Sequence, residues 1–135
     1  MNKNILFVCK HNRFRSKVAE AFFKKYNKNK KYFAMSAGLL PGRYPLDKEQ
    51  VKIAREFGIN IHGKTKPITM DLLIKTRIMV IVADNVPVEI FGKAKYKRKE
   101  YIWKIKDSVN NRDEDIREII SEIKSKIIEF VESLK

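Results

Sequence analysis

Two short runs without a single polar residue constrain this chain most: Ile5-Leu6-Phe7-Val8 near the start and Ile78-Met79-Val80-Ile81-Val82-Ala83 past the middle. A half-exposed strand alternates apolar and polar side chains. A continuous apolar run of this length belongs to a strand covered on both faces, as in a parallel sheet with helices on either side. The segments between and after these runs carry helical periodicity. From Ser16, residues Val18, Ala21, Phe22 and Tyr26 share one face, with Lys17, Lys24 and Lys25 elsewhere. Asp47 caps a stretch to Phe57, stopped by Gly58, and Thr69 caps a short one through Lys75. From Asp113 to Leu134, isoleucines recur at helical spacing, and three acids fill the first turn, where the positive helix end favours them.

Weaker strand signals lie at Tyr32 to Met35, closed by Ser36-Ala37-Gly38, and at Tyr101 to Ile105. Strands alternating with helices predict an α/β domain with a parallel sheet. A chain of 135 residues fits one domain, spanning 1–135, and its 44% hydrophobic content suffices for a core without staples. The lone cysteine, Cys9, excludes an internal disulfide, and two histidines, His11 and His62, argue against a Cys/His zinc site. No apolar run approaches the ~20 residues that span a bilayer. The short N-terminus does not read as a signal peptide, so the expectation is a cytoplasmic protein away from the membrane.

In parallel α/β sheets, ligands bind beyond the carboxyl ends of the strands. Here those ends are Cys9, Ser36, Asp84-Asn85 and the segment after Trp103. The first carries the chemistry. Cys9-Lys10-His11-Asn12-Arg13-Phe14-Arg15-Ser16 places a cysteine at a strand end, an arginine six residues on, and a serine where a helix begins. Helix N-termini present unpaired N–H groups and positive partial charge. A loop whose N–H groups curl around one centre forms an anion nest, and a cysteine at its mouth is stabilised as thiolate. Arg15 can grip two oxyanion oxygens at once. Arginine and serine at both offsets from the one cysteine coincide by chance in only about 0.3% of cases.

This loop resembles the Cys-x5-Arg-Ser signature of the low-molecular-weight protein tyrosine phosphatases and their arsenate reductase relatives. Ala19-Glu20, Ser36-Ala37-Gly38, the apolar strand to Asp84, and Trp103-Lys104-Ile105-Lys106-Asp107 before a long last helix follow in the same order. The resemblance implies a single three-layer α/β domain, a four-stranded parallel sheet flanked by helices on both faces. It implies that Cys9 attacks phosphorus to form a phosphocysteine. Arg15 and the backbone of Lys10, His11, Asn12, Arg13, Phe14 and Arg15 would bind the phosphoryl oxygens. Asp107 would be the general acid, with no metal or cofactor. Asn12 would hold a strained loop backbone at positive φ, Ser16 would donate to the thiolate, and Ser36 would brace Asn12.

The chain departs from the family pattern in places. His11 stands where glycine is usual and Phe14 where a second cysteine often stands. Asp107-Ser108 replaces Asp-Pro, and Val109, Asn110 and Asn111 stand where tyrosines often follow. A strong phosphotyrosine preference is therefore not implied. Asp84 is a rival acid or a structural residue. The expected substrate is a phosphorylated protein or a small phosphomonoester. With one cysteine, the disulfide relay of thioredoxin-coupled arsenate reductases has no internal partners, which leaves arsenate reduction with an external thiol as the alternative.

A third reading, a basic module that binds phosphate groups without turnover, comes from charge. Thirty Lys and Arg against sixteen Asp and Glu give +14, which favours anionic partners; a lysine-rich bias serving solubility accounts for it equally well. The cluster Lys93 to Lys99, with Tyr96 inside it, reads by default as a solvated loop and alternatively as a nucleic-acid or acidic-protein contact. Lys10 and Arg13 read either as solvated charges or as attractors of acidic substrates. His62 reads as a turn residue and Trp103 as core or site wall. Oligomeric state is not written in the sequence.

Overall fold

A computed structural model describes residues 3–40, 45–87, 99–108 and 112–134. Four strands form one sheet: β1 (Lys3–Cys9), β2 (Tyr32–Gly38), β3 (Thr76–Val82) and β4 (Lys99–Trp103). Their order is β2-β1-β3-β4 and every pairing is parallel. The helices are α1 (Arg15–Tyr26), α2 (Lys48–Glu56), α3 (Met70–Lys75) and α4 (Asp113–Ser133).

The apolar runs sit at the centre because two layers cover them. Ile5 and Phe7 of β1, with Ile78, Val80 and Val82 of β3, join the core of α1, α2 and α4. Leu6, Val8, Met79 and Ile81 face the other way, toward Ile68, Leu72 and Leu73 at α3. The isoleucine stripe of α4 (Ile116, Ile119, Ile120, Ile123 and Ile127) is wholly buried, as its spacing requires. Trp103 belongs to the same core and packs edge-on to Phe130. The expected three-layer α/β domain is what the chain forms.

Helix starts follow their caps. Asp47 Oδ1 accepts from the Gln50 N–H at 3.0 Å, and Thr69 Oγ1 accepts from the Leu72 N–H at 3.1 Å. α4 has no side-chain cap, but Asp113, Glu114 and Asp115 offset its positive end. Among the described helices, α1 alone has neither a capping side chain nor an acid in its first turn. Its N-terminus is thus left with donors and positive potential for something else.

Strand bounds differ from expectation at β4, which ends at Trp103 rather than Ile105. Pairing with β3 runs out at Val82 opposite Trp103. Beyond it the chain turns, with the Ile105 N–H donating to the Trp103 carbonyl at 2.8 Å. Ile105 is apolar because it is fully buried in the core, not because it lies in a strand. The basic segment before Lys99 and the turn around Pro41 and Gly42 fall outside the described residues, as do Val109, Asn110 and Asn111.

Candidate active site

The chain leaves β1 toward β2 on one side and returns to β3 on the other. Cys9, the last residue of β1, therefore sits at the crevice where strand order reverses. The Cys9 and Lys10 carbonyls accept from the Leu39 and Leu40 N–H groups at 2.9 Å each. With every described peptide trans, the N–H groups of Lys10 and His11 point to the opposite side, away from the β2 end. The loop then turns through Asn12, the only described non-glycine residue at positive φ (57°), as the family resemblance implies.

Asn12 is fully buried and its amide organises the loop. Its Oδ1 accepts from the Lys66 N–H at 3.0 Å. A backbone N–H can only donate, so the amide orientation is fixed and Nδ2 faces two hydroxyls. It donates to Ser16 Oγ at 2.8 Å and to Ser36 Oγ at 3.0 Å. Ser36 in turn donates to Glu20 Oε1 at 2.6 Å. Ser16 Oγ lies 3.1 Å from Cys9 Sγ. Toward a thiolate, only the serine can donate.

Glu20 is the far end of this chain. Burial raises its pKa, but hydrogen bonds from Lys24 and Ser36 and the charges of Lys24 and Lys66 outweigh that, holding it below the usual carboxylate range. Glu20 therefore stays an acceptor, so Ser36 must donate to it and accept from Asn12.

Arg15 opens α1 with its side chain buried. One terminal nitrogen donates to the Ile105 carbonyl at 2.8 Å and the other to Asn85 Oδ1 at 3.1 Å. Asp84 and Asp107 flank the guanidinium at 3.7 and 3.5 Å. Arg15 is thus held from behind by the ends of β3 and the post-β4 turn, and its planar fork is fixed in place. Both carboxylates reach it, but only Asp107 also lines the cleft above Cys9. That cleft, about 70 Å³, is bordered by Cys9, His11, Arg13, Phe14, Arg15, Gln50 and Asp107.

The structure thus brings Cys9, Arg15 and Asp107 to one cleft and places Asn12, Ser16 and Ser36 beneath it. Lys10, half-buried, is not on the cleft wall. Arg13 is on it, with its guanidinium donating to the Pro45 carbonyl at 2.9 and 3.3 Å. Gln50 escaped the sequence reading: it is a polar residue in the first turn of a surface helix, and only the packing of α2 turns it inward. Lys17 corrects an expectation. It lies off the apolar face of α1 yet is 5% exposed, because the 62–66 segment covers it. Its Nζ donates to the His62 and Lys64 carbonyls at 3.1 Å each.

Residues 4–135 match the family model described as low molecular weight phosphotyrosine protein phosphatase. The chain belongs to that family. No curated protein sequence matches it. Solved structures do. A protein tyrosine phosphatase from Entamoeba histolytica is 20% identical, with TM-score 0.86 over 98% of this chain and 97% of that one. The YwlE arginine phosphatase from Geobacillus stearothermophilus is 21% identical, with TM-score 0.83 over 98% and 92%. An arsenate reductase from Archaeoglobus fulgidus is 22% identical, with TM-score 0.73 over 94% and 98%. These likenesses establish a common fold. Within the low molecular weight phosphatase family, this chain is a phosphatase-type enzyme by fold and signature. Among its described residues no helix is long and apolar enough to cross a membrane, and no group of three or more potential ligands gathers as for a metal.

Proposed function

We propose that the protein is a cysteine-dependent phosphatase that hydrolyses a phosphomonoester, on a phosphorylated protein or a small molecule, through a phosphocysteine intermediate. The observation that supports it is the meeting of Cys9, Arg15 and Asp107 on one small cleft. The phosphoryl group sits over the uncapped start of α1, its oxygens taken by the N–H groups of residues 10–15 and by Arg15. Cys9 Sγ attacks phosphorus as the ester P–O bond breaks, and Asp107 gives its proton to the departing oxygen. Asp107, now a carboxylate, takes a proton from water whose oxygen attacks phosphorus. The S–P bond breaks and the thiolate returns, with Ser16 donating to it.

Cys9 is the one cysteine in the sequence, so no second sulfur can take the intermediate within the chain, and the reading that competes with hydrolysis is arsenate reduction with an external thiol. The test is hydrolysis of p-nitrophenyl phosphate without added thiol. Turnover should disappear in Cys9→Ser, while inorganic phosphate still binds that variant. Arsenate-dependent oxidation of an added thiol, with no ester hydrolysis, would overturn the proposal. Asp107→Asn should slow phenyl phosphate by about 10²–10⁴ but the more activated nitrophenyl ester much less. Equal losses on both esters would remove Asp107 from the acid role and return Asp84 to contention.

A further inference from the structure

Lys17 is the buried ionisable group that the mechanism above leaves unused. It occupies the third position of α1, at the helix end where the dipole opposes a cation. Its side chain is almost wholly buried, and burial is the leading reason its pKa falls below the ordinary lysine value. Two physical effects thus disfavour an ammonium here. What it gains is a pair of carbonyls from a distant segment, His62 and Lys64, each at 3.1 Å.

That segment leads directly to the nucleophile. Two residues past Lys64, the Lys66 N–H donates to Asn12 Oδ1. The same donor dictates which way the Asn12 amide faces, hence that Ser16 accepts from Nδ2 and keeps its own hydrogen for Cys9. We infer that Lys17 is a positioning residue for Cys9: by clamping residues 62–64 onto the start of α1, it keeps the Lys66 N–H on Asn12 and so keeps Ser16 donating to the sulfur. The inference rests on the reading of Cys9 as nucleophile. A rival anchor exists: the Lys66 carbonyl accepts from the Gly38 N–H at 2.7 Å, tying the same segment to β2. If that bond alone holds Lys66, Lys17 is dispensable.

The surroundings of Lys17 are mixed in charge. A cavity of about 400 Å³ beside it is lined by Glu20, Lys24, His62, Lys64 and Lys66. Glu20 and the Cys9 sulfur favour its charged form, whereas Lys24 and Lys66 oppose it. Removing the ammonium therefore also removes a cation from the neighbourhood of Cys9. Tether and charge act in the same direction on the sulfur, and both are lost in a methionine of similar length.

The test is the pH profile of Cys9 alkylation by iodoacetamide, which reads thiolate without any turnover. In folded Lys17→Met the profile should move up by about one pH unit, the scale of one hydrogen bond to a charged group. Alkylation on the acid limb should slow about tenfold, with the alkaline plateau unchanged. Lys17→Arg, which keeps charge and donors, should recover much of the loss. A role in packing alone would lower the urea midpoint and leave the profile in place, and that result overturns the inference.

Should Lys17→Met fail to fold, the milder Lys17→Gln decides instead: hydrogen exchange of its Lys66 amide should be faster than in the unaltered protein, and unchanged protection would leave the Gly38 bond as the anchor and overturn the inference. A displaced profile in a protein that hydrolyses no phosphomonoester would sink the proposed function but not this inference. Turnover with an unmoved profile would do the reverse.

Discussion

Gly38 offers the sharpest test of how tightly β2 presses on the loop between Cys9 and Ser16. A Cβ added there would lie 2.6 Å from the His11 carbonyl carbon and 2.7 Å from the Asn12 nitrogen. Both are backbone atoms. Ordinary contact begins at 3.4 Å, so the closest approach is about 0.8 Å too short. No rotamer change relieves this, and either β2 or the loop must move. Overpacking costs about 1–3 kcal/mol, and the rigid neighbours put Gly38→Ala in the upper part of that range. With a urea slope of roughly 1–3 kcal/mol per molar, the unfolding midpoint should fall by about 1 M. The more specific consequence is chemical. A misplacement of order 1 Å near reacting groups can cost about 10²-fold in rate, so p-nitrophenyl phosphate turnover should drop on that scale even well below the unfolding midpoint.

Gly58→Ala is the control. It adds strain at φ +79°, and its Cβ meets only the flexible end of Lys25. It should lower stability by about 1–2 kcal/mol and leave turnover unchanged. Equal midpoints and equal turnover in Gly38→Ala and the unaltered protein would refute the close-approach argument. So would a turnover loss in Gly58→Ala as large as in Gly38→Ala.

Two further outcomes are expected. Arg15→Lys replaces a fork held by Ile105 and Asn85 with a single ammonium; inhibition by inorganic phosphate should weaken and kcat/KM should fall by about 10²–10³, and an unchanged inhibition constant would place Arg15 outside the anion site. The pKa of Glu20 is depressed in the folded protein, so its stabilisation is fully present above its ordinary value of 4.5 and is lost as pH falls through the lower folded value. Urea midpoints of the unaltered protein should therefore decline more steeply below that pH than those of Glu20→Gln, and parallel declines would refute the pairing of Glu20 with Lys24 and Ser36.

The sequence alone specifies the two central strands, because side chains excluded from water on both faces must be apolar without interruption, and Ile5–Val8 and Ile78–Ala83 are. It determined the helix starts at Asp47 and Thr69, where capping is local hydrogen bonding between residues three apart. It also carries the Cys9–Ser16 signature, since strand end, loop and helix start lie within eight consecutive residues, and the positive φ of Asn12 is what the family resemblance of that signature implies. What the long-range crossovers bring together is settled only in the folded chain. Lys17 reads as a surface lysine until residues 62–66 fold over it. Gly38 reads as a strand end until the loop backbone passes within 3 Å of where its Cβ would be. Gln50 reads as helix surface until α2 turns it to the cleft. Along the chain Asp107 is the acid that the family resemblance implies and Asp84 its rival, and the turn after β4 sets Asp107, not Asp84, on the cleft wall. Periodicity reports whether a residue is covered, not by what, and the Lys66 N–H that holds Asn12 comes from 54 positions away.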